Sequence, residues 1–170
     1  MLNLIIGGAG SGKSAYAEAL VCRLAGPRLY IATMEARDAE SRARIERHRE
    51  QRRGLGFVTL ERGTDLAAAP VPPGCNALLE DLPNLLANEL FSPAGGGMPS
   101  LRRGLEALLS ACGSLTVVTG EVFSDGVAYP AQTRDYMRQL AALNRELAAR
   151  ADFVAELVCG LPNRLKGEEA

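Results

Sequence analysis

The run Gly7-Gly8-Ala9-Gly10-Ser11-Gly12-Lys13-Ser14 constrains this chain more than any other stretch. It follows the apolar segment Leu4-Ile5-Ile6 and precedes a helix-forming segment over residues 15–24. Strand, glycine turn and helix, in that order, are the setting in which G-x-x-x-x-G-K-S becomes a phosphate-binding loop. The glycines let successive backbone N–H groups wrap a polyphosphate, and the positive end of the helix dipole points at the same spot. Lys13 is placed to reach the β- and γ-phosphates, and the Ser14 hydroxyl to ligate Mg²⁺. The pattern predicts a nucleoside triphosphate site.

Buried-type strands alternating with helices predict parallel βαβ construction. Strands are expected over residues 2–6, 28–33, 57–60, 77–81, 114–119 and 151–159, with apolar or β-branched residues throughout. Helices are expected over 15–24, 38–53, 83–90, 100–112 and 133–150, with a short one over 65–69. Asp38 is the expected N-cap of the second helix. Residues 91–99 (Phe-Ser-Pro-Ala-Gly-Gly-Gly-Met-Pro) read as a flexible loop, and everything from Gly160 onward as a tail. No repeat and no internal boundary is visible, so residues 1–170 are expected to form a single α/β domain around a mainly parallel sheet.

Composition narrows the function. A net charge of −1 gives no electrostatic case for nucleic acid or an anionic membrane as partner. No apolar run approaches the ~20 residues of a membrane span, and Met1 leads straight into the first strand with no signal peptide, so a cytoplasmic location is expected. Cys22, Cys75, Cys112 and Cys159 are scattered among apolar or small residues and read as buried free thiols rather than a disulfide framework or metal site.

Phosphoryl transfer needs a carboxylate near the phosphate loop to hold Mg²⁺ or its water shell. Glu80 and Asp81 stand at the end of a predicted strand, where ligands of open α/β sheets gather. Residue type alone leaves open whether they do this or are an ordinary solvated strand end. The helix over 38–53 is nearly all polar, with Ile45 its only large aliphatic residue, which puts it against solvent or at a site edge. It carries His48, the only histidine, with Arg44 and Arg52 at i±4 and Arg47 and Arg49 beside it. Such a histidine reads on composition as a solvated surface residue. The same arginines, however, would disfavour the imidazolium, leave a nucleophilic nitrogen, and clamp phosphate oxygens.

An ordered set of motifs bears on that choice. It comprises the phosphate loop, Leu29-Tyr30-Ile31-Ala32-Thr33, Arg44-Ile45-x-x-His48-x-x-x-Arg52, Leu78-Leu79-Glu80, Glu121-Val122, Asn144, Ala151-Asp152 and Gly160-Leu161-Pro162-Asn163-Arg164-Leu165-Lys166. Together they resemble the bifunctional adenosylcobinamide kinase/adenosylcobinamide-phosphate guanylyltransferase family of cobalamin biosynthesis, over essentially the whole chain. The resemblance implies an α/β, P-loop NTPase-like (RecA-like) fold, with a mainly parallel sheet flanked by helices. It implies phosphorylation of adenosylcobinamide, then transfer of GMP from GTP to the new phosphate through a guanylylated histidine. His48 occupies that position, with Lys13 as the second catalytic residue. Nucleotide contacts (GTP, or ATP in the kinase step) carry over to Gly7 through Ser14, to Thr33, Met34 and Glu35, to Arg49, Glu50, Gln51 and Arg52, and to Glu61 and Glu80. Ser14 and Glu80 would hold Mg²⁺. A carboxylate such as Glu80 or Glu61 would accept from guanine N1–H and its exocyclic amine. A homotrimer with the corrinoid site shared between subunits is also implied.

The chain departs from the family pattern at Gly10, where arginine is usual. It departs again at Asp81 and Pro83, where the family has Cys-Leu-Thr, and at Gly120 and Phe123, within the usual Thr-Asn-Glu-Val-Gly. These positions bear on substrate fit and the kinase step, and none touches Lys13, Ser14 or His48. Two rivals stay open on residue types: a monofunctional P-loop small-molecule kinase with an inert His48, and a non-catalytic nucleotide-binding module.

Overall fold

The computed structural model describes residues 1–36, 38–122 and 126–169. Its centre is a seven-stranded sheet in the order β3-β2-β4-β5-β1-β6-β7. The strands are β1 (Leu2–Gly7), β2 (Arg28–Ala32), β3 (Phe57–Glu61), β4 (Asn76–Glu80), β5 (Ser114–Gly120), β6 (Phe153–Val158) and β7 (Leu161–Lys166). The first six run parallel, and β7 returns antiparallel along β6. Between them come α1 (Lys13–Cys22), α2 (Ala39–Gln51), α3 (Leu82–Phe91), α4 (Gly97–Ala111) and α5 (Ala131–Arg150). The expected α/β architecture, with its mainly parallel sheet and flanking helices, is therefore the observed one. No helix among the described residues is long and apolar enough to cross a membrane.

The period-2 alternation of the strands sorts the core onto two faces. Leu2 and Leu4 of β1, Ala77 and Leu79 of β4, and Leu115 and Val117 of β5 pack under α3, α4 and α5. Ile5, Leu78 and Val118 point the other way, against Ala17, Leu20 and Val21 of α1. The second face is completed by Tyr30 and Phe153. α2 contributes no buried residue to either core. It stands over the strand ends and is held at its start by the expected Asp38 cap. Ser41 N–H donates to Asp38 Oδ1 at 2.7 Å, and Asp38 N–H donates to Ser41 Oγ at 3.0 Å.

Three expectations need correction. First, residues 91–99 are not a free loop. α3 runs through Phe91, α4 starts at Gly97, and Pro99 sits in its first turn, where a missing N–H costs nothing. The buried Glu89 carboxylate stitches the connection by accepting from Asp65 N–H (2.7 Å), Gly96 N–H (2.7 Å) and Ser100 Oγ (3.1 Å). A side chain at Gly95 would place its Cβ 2.3 Å from the Glu89 carbonyl, so only glycine lets the chain fold back over α3.

Second, the stretch after Gly160 is not a loose tail. Cys159 and Gly160 both take left-handed conformations (φ 52° and 80°), the two-residue turn that matches strand twist, and β7 follows. Lys166 Nζ then donates to the Ala148 and Ala149 carbonyls at the C-terminus of α5 (3.1 and 2.9 Å). Third, Cys159 is exposed at that turn, while Cys75 alone is fully buried.

Candidate active site

Because the strands are parallel, their C-terminal ends meet along one edge of the sheet. Gly7 lies opposite Gly120, and Ala32 lies opposite both Glu80 and Glu61. The phosphate loop leaves β1 at this edge. Gly12 takes φ 89° at the N-cap of α1, and a Cβ on Gly7 would meet Ser11 Oγ at 2.5 Å, so both positions require glycine. Lys13 Nζ donates to the Gly8 carbonyl at 3.1 Å, and Ser14 Oγ donates to Glu80 Oε1 at 2.7 Å.

Glu80 comes from the end of β4 and faces the loop. Burial, with the neighbouring Asp81 charge, pushes its carboxyl up to about 8, against the pull of Ser14 and Lys13. Asp81 is also raised by burial, although it accepts from Asn84 N–H (2.9 Å) and Asn84 Nδ2 (2.7 Å) as the cap of α3. Thr33 is buried behind this pair. It accepts from Asp81 N–H at 2.8 Å, and Asn88 Nδ2 donates to its carbonyl at 2.8 Å. Thr33 thus braces the turn that presents Glu80.

α2 closes the edge from above. His48 is half-buried and shares with Lys13 and Ser14 a space of about 40 Å³ beneath the helix, which Glu80 and Tyr30 also line. On its outer side a cleft of about 400 Å³ runs between the phosphate loop and Arg44, Arg47, His48 and Gln51. Burial depresses the imidazole's proton affinity first, and the charges of Arg44, Arg52, Arg47 and Lys13 add to it. The direction agrees with the one expected from the arginines, but desolvation is its largest cause. The ring is neutral near pH 7.

The arginines divide their work. Arg52, the C-cap of α2, is buried with its guanidinium 3.5 Å from the Tyr30 ring centroid and ties the helix end to the sheet. Arg49 pairs with Glu61. With Met34 and Glu35 these two line a third cleft, of about 480 Å³. Glu50 turns to the outer surface, where Arg53 pairs with it at 2.8 Å. Gly8, Ala9 and Gly10 are exposed on the crest of the loop, and Gly10 opens into the 400 Å³ cleft.

Tyr30, which the sequence shows only as part of a motif, and Asn84, on the first turn of α3 and not singled out at all, also line the space beneath His48. Two of the departures meet. A Cβ on Gly120 would lie 3.5 Å from Pro83 Cγ and 3.6 Å from Val122 Cγ1. Both distances are ordinary van der Waals contact, so Gly120 and Pro83 are neighbours without either dictating the other. Phe123 lies outside the described residues.

Three buried polar atoms without a hydrogen-bond partner gather here: Ser11 Oγ, His48 Nδ1 and Glu80 Oε2. Such atoms are costly unless a ligand satisfies them. Ser14 Oγ and the Glu80 carboxylate are hard oxygen donors suited to Mg²⁺. Among the described residues no three His, Cys, Asp or Glu side chains converge on one metal position. The pair beside the phosphate loop suits a cation shared with substrate phosphates.

Comparison with known proteins gives the same picture. The family model described as "Cobinamide kinase / cobinamide phosphate guanyltransferase" matches residues 3–165. The "Bifunctional adenosylcobalamin biosynthesis protein CobP" of Pseudomonas aeruginosa is 35% identical, the alignment covering 99% of each chain. The proteins named "Bifunctional adenosylcobalamin biosynthesis protein CobU" in Escherichia coli and Salmonella typhimurium are 33% and 34% identical, each over 98% of this chain and the whole of the relative. With a match of that extent, running from the first strand to the last, the chain belongs to the cobinamide kinase / cobinamide phosphate guanyltransferase family.

Proposed function

We propose that this chain, acting as one unit over residues 1–170, catalyses both reactions named by its family. It phosphorylates the alcohol of adenosylcobinamide with a nucleoside triphosphate. It then transfers GMP from GTP to that phosphate, giving adenosylcobinamide-GDP and pyrophosphate. The observation that carries the second reaction is His48: the only histidine is a neutral, half-buried imidazole in the same cleft as Lys13 and Ser14.

In the kinase step the acceptor hydroxyl attacks the γ-phosphorus in line, the bond to the β–γ bridging oxygen breaks to release the nucleoside diphosphate, and the hydroxyl proton passes to water, while Lys13 holds the β- and γ-oxygens. In the guanylyl step an imidazole nitrogen of His48 attacks the α-phosphorus, and the bond to the pyrophosphate oxygen breaks. The acceptor phosphate then attacks the same phosphorus and returns the electron pair to the imidazole. Mg²⁺ on Ser14 and Glu80 would neutralise phosphate charge in both steps, and Arg44 and Arg47 face the same cleft. The cleft of Met34, Glu35 and Glu61 offers an apolar floor and carboxylate acceptors suited to guanine. The space of about 40 Å³ between His48 and Glu80 admits a few water molecules at most, so the triphosphate fits the 400 Å³ cleft on the outer side of His48 unless α2 lifts.

We place the chain in the cytoplasm, a reducing compartment that suits its four free cysteines. A homotrimer follows the family resemblance, and the apolar side chains exposed on the edge hairpin, Val158, Leu161 and Leu165, offer a surface for contact between copies. Light scattering would read a mass three times that of the chain.

Incubation with GTP labelled at the α-phosphate tests the central claim. Wild-type protein should retain acid-labile, base-stable label, and His48→Asn should retain none while still phosphorylating adenosylcobinamide. A GMP adduct on the His48→Asn protein would place the nucleophile elsewhere.

A further inference from the structure

Glu18 is a carboxylate that the mechanism above does not use, and it is only 4% exposed. It lies on α1, whose Ala17, Leu20 and Val21 pack with Tyr30. Its Oε1 has no hydrogen-bond partner. Burial raises the carboxyl above its ordinary range, and the charge of Arg52 opposes that shift. Among the described residues Arg52 is the one buried cation. Its guanidinium rests on the Tyr30 ring and donates to none of the described residues. The charges of Glu18 and Arg52 both act on the Tyr30 phenol, Arg52 favouring its ionisation and Glu18 opposing it, so the three side chains stand together. A buried charge is costly unless an opposite charge answers it.

Helix geometry puts this pair in register with the reacting groups. Ser14 and Glu18 are four residues apart on α1. His48 and Arg52 are four apart at the end of α2, where Arg52 N–H donates to the His48 carbonyl at 3.2 Å. Residues at i and i+4 share a helix face, about 6 Å apart along the axis. Ser14 and His48 line the same two spaces beside the phosphate loop. One turn further along each helix, Glu18 and Arg52 make a second tier. Little else seats α2. It gives the core no buried residue, and its Arg49–Glu61 pair is exposed, where an ion pair holds weakly.

We propose that Glu18 is a positioning residue for guanylylation: its buried carboxylate is the counter-charge that seats Arg52, and through Arg52 it sets the height of His48 over Lys13 and Ser14. Phosphorylation of the acceptor alcohol does not use His48, so it depends on Glu18 far less. This rests on the bifunctional reading above and deepens it by naming what holds the nucleophile in place.

Glu18→Gln keeps the shape of the side chain and removes its charge. Self-guanylylation of the variant by GTP should slow about tenfold or more, with kcat and KM for phosphorylation of adenosylcobinamide within about threefold of wild type. In an Arg52→Met background, adding Glu18→Gln should slow labelling less than about twofold further, because no guanidinium is left to seat. Trypsin reads α2 without any turnover. Arg44 and Arg47 are exposed on it, but cleavage after them needs the helix to open. Glu18→Gln should speed that cleavage about tenfold, with a urea midpoint no lower than that of wild type. Labelling and cleavage both at wild-type rates in Glu18→Gln would overturn the assignment. So would a tenfold loss of labelling that persists in the Arg52→Met background. A wild-type protein that takes no label, while Glu18→Gln still speeds cleavage of α2, would instead overturn the bifunctional reading and leave the seating of α2 standing.

Discussion

Glu80→Gln is expected to stabilise the ligand-free protein while disabling it. In the fold the Glu80 carboxyl titrates at about 8 against an ordinary value of 4.5, because burial and Asp81 disfavour its charge. Between those two values the folded state holds a proton that the unfolded chain has released, so stability falls as pH rises through this window. At ~1.4 kcal/mol per pH unit the gap amounts to at most ~5 kcal/mol, and water reaching the cleft reduces it to about 2–4 kcal/mol. Glutamine keeps an acceptor for Ser14 Oγ and has nothing to ionise. Urea unfolding of both proteins at about pH 5.5 and about pH 8.5, in EDTA and without nucleotide, reads the effect, since titrating groups remote from Glu80 cancel in the difference. The variant should gain about 2–4 kcal/mol on wild type over that interval. Adding Mg²⁺ and GTP should reverse the order, and binding near pH 7 should release about one proton to the buffer. A difference that stays flat with pH, or wild type gaining on the variant in the absence of ligand, would refute the argument.

Lys13→Ala should slow both reactions about a hundred- to a thousand-fold, since charge on the β- and γ-phosphates is needed in each transition state; unchanged turnover would remove the phosphate-loop assignment. Self-guanylylation with saturating Mg²⁺ and GTP should hold its plateau below pH 6.5, the ordinary imidazole value, because burial and the neighbouring arginines depress protonation of His48. Arg44→Met should move the acidic limb upward, and a wild-type limb at or above the ordinary value contradicts the reading. Glu89→Ala should cost about 3 kcal/mol in urea unfolding, because it leaves the Asp65 and Gly96 N–H groups unpaired. A loss under about 0.5 kcal/mol would mean that water replaces the carboxylate.

What could be read from the chain beforehand is what local chemistry decides. The phosphate loop declares itself because its glycines, lysine and serine are neighbours in sequence. Asp38 is legible because its partner, Ser41, is three residues away. Glu80 is legible because a carboxylate at the end of an apolar strand is conspicuous. Where the partner is distant, the signal fails. Glu89 is one more polar residue on a helix until Asp65, 24 residues earlier, and Ser100, 11 later, come to it. The connection from α3 to α4 therefore looked free on its glycine content alone. The Cys159–Gly160 turn carries no asparagine or aspartate to announce a hairpin, so β7 was hidden. His48 is the mixed case: its arginine neighbours are local, but the burial that chiefly sets its protonation comes from the sheet edge below α2.

The position of β1 in the sheet also has a bearing on how the protein comes into being. β1 carries the phosphate loop, yet its two neighbours are β5 and β6. The Asn3 side chain reaches Thr116 across 113 residues, and the Leu2 N–H reaches the Asp152 carboxylate across 150. At ~5–20 residues per second on the ribosome, roughly 5–20 s pass before the first neighbour is even made. Through that interval the apolar strand at the N-terminus has nothing to pair with and is a target for chaperones or for other nascent chains. GTP is a poor folding template, because the strand that presents the loop is unpaired until β5 and β6 dock on it. Nucleotide binding should therefore appear in refolding as the final and slowest event, well after the helices have formed.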